Sequence, residues 1–179
     1  MLVLNVPVGD EYYDEERDRF TQRTETVQLE HSLLAVSKWE AKYEKPFLND
    51  TEHSDSETVD YIKMMGVPSE IPDELFRCIT KEQMSEINNY ISKKHTATWF
   101  REGNKAPSRQ VITSELIYYW MFSNQIHKDC ELWNINRLLT LIRIFSEKNQ
   151  PEKKMSREEV TRRNRELNAK RRAAMKTKG

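Results

Sequence analysis

The chain is poor in the residues from which metal, redox and nucleotide sites are usually built. Its 179 residues include only two cysteines, four glycines and four histidines. Cys78 and Cys130 each lack a second cysteine or a histidine pair at ligand spacing, so neither a zinc site nor a dithiol motif is spelled out. His31, His53, His95 and His127 follow no HxxxH or HExxH pattern and read as surface or half-buried imidazoles. Gly9, Gly66, Gly103 and Gly179 are too dispersed for a phosphate-cradling loop, which needs close backbone approach to the anion. Asp10, Glu11, Asp14, Glu15, Glu16 and Asp18 are interrupted by Tyr12, Tyr13 and Arg17, which breaks the alternating register of a calcium loop and leaves a solvated negative face. No metal, cofactor or catalytic group is therefore expected. No run approaches the ~18 apolar residues of a membrane span, and "MLVLNVPVGD" lacks the basic flank and apolar length of a signal peptide. A chain with two isolated cysteines and no such segment suits a reducing cytoplasm.

Charge is abundant. Lys, Arg, Asp and Glu make up 32% of the sequence and the mean hydropathy is −0.85, yet four Trp, seven Tyr and six Phe supply enough bulky surface for one core. The formal charge is zero, but its placement is uneven. From Pro151 onward there are 11 basic and 4 acidic residues, leaving 18 basic and 25 acidic in Met1 to Gln150. The expected organisation is an acidic globular domain, 1–150, and a basic helical tail, 151–179.

Within the first 31 residues, "LVLNVPVGD" alternates before a Gly-Asp break, and "TETVQLEH" sets Val27, Leu29 and His31 on one face. These predict a small sheet, with the acidic "GDEYYDEERDR" as a solvated connection or an edge. Residues 32–150 predict a helical core. Leu33, Leu34, Val36, Trp39 and Tyr43 recur at helical spacing until Pro46, and "SDSETVDYIKMMG" is bounded by polar caps and Gly66. The two prolines of "VPSEIPDEL" make a loop or short turn. Thr80 and Gln83 form a capping box for a helix over Thr80–Lys94. Thr113 or Ser114 caps a helix whose stripe Leu116, Ile117, Trp120 and Met121 should be among the most buried elements. Asp129 is the expected cap of a fifth helix reaching Lys148, lined by Ile135, Leu138, Leu139, Ile142 and Phe145 and widened by Leu141 and Ile144. The fold class is thus α+β and predominantly helical: a small N-terminal sheet, about five helices and a separate charged C-terminal helix. Trp39, Trp120 and Trp133 lie on apolar stripes and are expected in the core. Trp99, in "HTATWFREGNK", is the indole least expected to be buried.

In the tail, Ser156 to Glu159 spells a capping box, and Glu158–Arg162, Glu159–Arg163 and Glu166–Lys170 are paired at i,i+4. Val160 and Leu167, with Met155 and Ala174 in phase, form a seam wide enough for one partner helix and too narrow for a core. The candidate binding residues are Val160, Arg162, Arg163, Leu167, Lys170, Arg171 and Arg172. They suit an acidic helical partner or nonspecific contact with phosphates. No aromatic residue follows Phe145, so the tail cannot stack bases, and sequence-specific nucleic-acid binding is not expected of it.

The blocks "LEHSLLAVSKWEAKYEKPFL", "LWNINRLLTLIR" and "KKMSREEVTRRNRELNAKRR", in that order and spacing, resemble the tail assembly chaperones of long-tailed bacteriophages. Recognisable residues cover Leu29–Leu48 and Leu132–Arg172. The resemblance implies a non-enzymatic protein of the host-cell cytoplasm that binds the long helical tape measure protein and keeps it soluble while the tail tube polymerises. The tail tube protein is a second candidate partner. It further implies absence from the finished virion and, in many members, a frameshifted longer form. A structural virion component (a connector or tail subunit) and a nucleic-acid-associated regulator remain the alternatives.

Overall fold

The computed structural model describes residues 1–16, 18–49, 52–100, 110–149 and 157–175. Alternating apolar residues near the start of the chain build an antiparallel hairpin of β1 (Leu2–Asp14) and β2 (Arg19–Leu29), paired from Leu2↔Leu29 to Asp14↔Arg19. Leu4, Val6, Val27 and Leu29 point into the core, whereas Val3 is exposed. The two-residue alternation decides this, because neighbours along a strand face opposite ways. The register slips between Val8 and Tyr12, and Gly9 there has φ +79°, a geometry that costs other residues strain. The Gly-Asp break is therefore a bulge within a strand. Of the two readings of the acidic stretch the edge is the one observed: Gly9 to Asp14 continues β1, the outer strand of the sheet, and the hairpin runs beyond the core with Tyr12, Tyr13 and Phe20 exposed.

The starts of α1, α2, α4, α5 and α6 are each set by a polar side chain that accepts from a backbone N–H of the first turn. α1 (Leu33–Tyr43) begins where Ser32 Oγ accepts from Ala35 N at 3.3 Å, and it ends at Glu44, in the left-handed region, two residues ahead of Pro46. α2 (Asp55–Met64) carries a reciprocal capping box between Ser54 and Glu57. The short strand β3 (Gly66–Val67) follows and pairs with the end of β2. Gly66 is required there, since a Cβ would lie 2.3 Å from the Ser69 carbonyl oxygen. Pro72 opens the single-turn α3 (Asp73–Phe76) within the stretch expected as a loop or short turn. α4 (Lys81–Ser92) has the expected Thr80–Gln83 capping box, and Gln83 Nε2 also donates to the Asn5 carbonyl at 2.8 Å, tying the helix to β1.

α5 (Ser114–Ser123) is capped by Thr113. Its burial differs from expectation: Ile117 and Met121 are fully buried, but Leu116 and Trp120 only partly, and Tyr119 and Phe122 are exposed. A helix packed on one side hides one stripe, and the remaining apolar residues have nothing to cover them. The cap expected at Asp129 is also displaced. Asp129 lies in a 3-10 turn (Lys128–Leu132), and α6 (Ile135–Lys148) starts after Asn134, whose Oδ1 accepts from Asn136 N at 3.1 Å. In this position Trp133 precedes the helix and is 38% exposed, so of the three indoles expected in the core only Trp39 is fully buried.

The core forms where the end of β2 meets the helices. Glu30 N donates to the Met65 carbonyl at 2.9 Å, and Ile135 N donates to the His31 carbonyl at 2.7 Å. Leu29, Leu33, Trp39, Tyr61, Ile62, Ile87, Ile117, Ile135 and Leu138 surround this junction. The chain divides into two compact units, Met1–Phe145 and Ser146–Gly179. The second contains α7 (Arg157–Met175).

Candidate functional site

α7 is helical for local reasons. Arg157 to Met175 contains no Gly or Pro, Glu158 and Glu159 stand in the first turn and Arg172 in the last, as the helix dipole favours. Thr161 Oγ1 donates to the Arg157 carbonyl at 2.8 Å. Every residue of the helix is exposed, including Val160 at 41% and Leu167 at 42%. The Ser156 cap and Met155 lie outside the described residues.

Helical geometry sorts the candidate residues into two groups. At about 100° per residue, Leu167 lies about 20° from Val160 around the axis, and Arg163, Lys170 and Arg171 fall within about 80° of Val160. These five form one face, an apolar seam bordered by cations. Arg162 and Arg172 lie more than about 100° away, on the opposite side. A single helical partner can therefore meet Val160, Arg163, Leu167, Lys170 and Arg171 together, while Arg162 and Arg172 act on it only through the longer-range field.

A second polar constellation lies inside the first unit, at the core junction. Glu30 accepts from the Tyr90 hydroxyl at 2.7 Å and from Asn134 Nδ2 at 3.2 Å, and the amino group of Met1 sits 2.7 Å from its other oxygen. Burial opposes ionisation of Glu30, but these donors outweigh it and hold the carboxyl below its usual range. His31 Nδ1 is hydrogen-bonded to the Tyr61 hydroxyl. Burial pushes His31 down to about 4, against the pull of Glu30 and with help from His95. Burial also raises the Tyr61 phenol. Glu40, likewise buried, accepts from Phe47 N at 2.8 Å and from Ser114 N at 2.7 Å, joining α1 to the start of α5. His31 and Tyr61 are almost wholly enclosed, and each carboxylate is spent on backbone or side-chain donors that belong to different elements. Their chemistry is that of cross-links between elements. Among the described residues, no group of three or more His, Cys, Asp or Glu side chains could hold a metal ion, and no helix is long and apolar enough to cross a membrane.

A third feature is a groove of about 640 Å³ beside α6, whose lining includes Lys94, Trp99, Phe100 and Arg143. No motif marks it. The signal in the sequence is two lysines a few residues ahead of a Trp-Phe pair in "KKHTATWF", together with the exposure expected of Trp99, which is 80% exposed.

Compared with known protein families, curated proteins and solved structures, the chain matches none.

Proposed function

We propose that this chain is a tail assembly chaperone of a long-tailed bacteriophage, which binds the tape measure protein in the host cytoplasm and keeps it soluble until the tube closes around it. On this reading it has no catalytic turnover and is absent from the finished particle. The observation that carries it is α7: a 19-residue helix, all of it exposed, with a two-residue apolar seam flanked by arginine and lysine. Two of the three blocks that carry the resemblance have a packing reason in this chain. Leu29–Leu48 contains α1 and Leu132–Arg143 opens α6, and both meet at the buried junction around His31 and Ile135. The third block has no such reason. Its side chains bury nothing within their own helix, so a partner outside the chain accounts for their pattern.

A very long amphipathic helix aggregates through its uncovered apolar stripe. A partner that offers a narrow seam covers part of that stripe, and cations on its borders steer an acidic helix into place. The test is co-expression with the longest helical protein encoded beside this chain, scored by the fraction of that protein that stays soluble. Reversing Arg163, Lys170 and Arg171 to Glu should slow association and flatten its salt dependence without unfolding the first unit. Equal solubility of the partner with and without this chain, or recovery of the chain in finished particles, would overturn the proposal.

A further inference from the structure

The groove beside α6 differs in charge from the rest of the first unit. Its described lining includes the cations Lys94 and Arg143, whereas Met1 to Gln150 as a whole holds 18 basic and 25 acidic residues. Among the described residues, no carboxylate lines the groove. Two rings stand in it, each paired with a cation: Lys94 Nζ lies 4.7 Å from the Trp99 ring centre, and the Arg143 guanidinium lies 3.9 Å from that of Phe100. Hydroxyls such as Thr96 and Thr140 complete the wall. Its position is set by the fold, since Asn136 Nδ2 on α6 donates to the Lys93 carbonyl at 3.0 Å and so fixes the chain leaving α4 against α6.

We propose that this groove binds single-stranded nucleic acid, with a base stacked on Trp99 and the adjoining phosphates held at Lys94 and Arg143. An open indole is a platform for any base, because every base has a π-face, and cations spaced along a groove track a phosphodiester backbone. The volume lies within the ~300–1,000 Å³ of small-ligand sites, enough for a short stretch of strand. Trp133 has Arg137 4.7 Å from its ring, but it is only 38% exposed and shares its pocket with the Glu30 carboxylate. Tyr12, Tyr13 and Phe20 stand in a run dominated by Asp and Glu, which repels phosphate. An acidic peptide would satisfy the cations, but it would leave a ring that is 80% exposed without a stacking partner. The inference is independent of the chaperone reading: it concerns the first unit, and the basic α7 contributes only a salt-dependent background.

The experiment is titration of a fluorescein-labelled 20-residue oligothymidylate with the full chain, followed by anisotropy at 50 and 200 mM NaCl. Trp99→Ala should weaken binding about ten-fold, as loss of one stacked base does, and Trp99→Phe should recover most of it. Lys94→Glu should weaken binding further and reduce the salt slope by about one. Both positions border the groove outside the buried core, and unchanged circular dichroism melting shows that the variants fold. Undiminished binding by Trp99→Ala overturns the proposal, since the tail alone then accounts for the affinity. Displacement of the oligonucleotide by polyglutamate as readily as by unlabelled oligothymidylate also overturns it, and assigns the groove to acidic peptides.

Discussion

α6 and α7 follow one another in the chain, are both helical for local reasons, and have opposite fates. α6 buries Ile135, Leu138 and Ile142, and its first residue donates its backbone N–H to the His31 carbonyl, just past the end of β2. α7 buries nothing. Helix propensity therefore does not tell a packed helix from an exposed one. The difference lies in the width of the apolar stripe, since tertiary packing of that stripe supplies most of a helix's stability in a protein. Seven apolar residues on α6 make a surface that must be covered. Val160 and Leu167 on α7 make a line too narrow to require cover.

The contrast is broken most directly by deleting one leucine from each helix. Leu138 is fully buried, and Leu138→Ala should destabilise the protein by about 2–5 kcal/mol in urea titrations. Leu167→Ala should stay within about 0.5 kcal/mol. Equal costs would show that α7 is packed in solution. Leu139 is only partly buried and should fall between them.

The junction that holds α6 sharpens the comparison through pH. His31 is pushed down to about 4 when folded, against an unfolded value near 6.5, so the unfolded state binds the extra proton first. Stability is then full above about pH 6.5 and declines as pH falls towards 4, by about 3 kcal/mol in all. Glu30, also lowered, adds a loss of the same sign at more acid pH. Chemical denaturation as a function of pH should show this slope between pH 6.5 and 4 in the wild type, and His31→Gln should flatten it. No matching slope should arise from α7.

Glu40 offers a smaller test of the body. Its carboxylate accepts two backbone N–H groups from separate segments, and Glu40→Gln turns one acceptor into a donor facing a donor. A loss of about 1.5–3 kcal/mol is expected in thermal or urea melts. The smallest effect should follow truncation after Gln150, which leaves the melting midpoint of the first unit nearly unchanged because the tail carries so few large apolar residues. A large fall would contradict the division.

The residues explain why some elements were legible and others not. Thr80 with Gln83, Ser54 before α2 and Thr113 before α5 act within three residues, so their caps could be read from the sequence. The seam of α7 was legible for the same reason: periodicity alone puts Val160 and Leu167 in line. Asp129 was a plausible cap and lost to Asn134 because the bridge of Ser32 with Asn134 fixes where α6 begins, a constraint that comes from residues about a hundred positions away. The acidic stretch continues as strand because β2 lies opposite to pair with it. The half exposure of α5 had no local signal either, since Trp120 and Ile117 look equally apolar.

By itself, then, the sequence determined the class of fold, the caps of α2, α4 and α5, the uneven placement of charge along the chain, and which helix carried little apolar surface. These follow from chemistry within one or two turns. Only the tertiary structure decided which stripe of α5 is hidden, that Glu30, His31 and Glu40 are buried together with their partners, and that Lys94 and Trp99 share a groove with Arg143. Burial and convergence depend on contacts between residues far apart in the chain, and composition and period carry no record of which distant residues will meet.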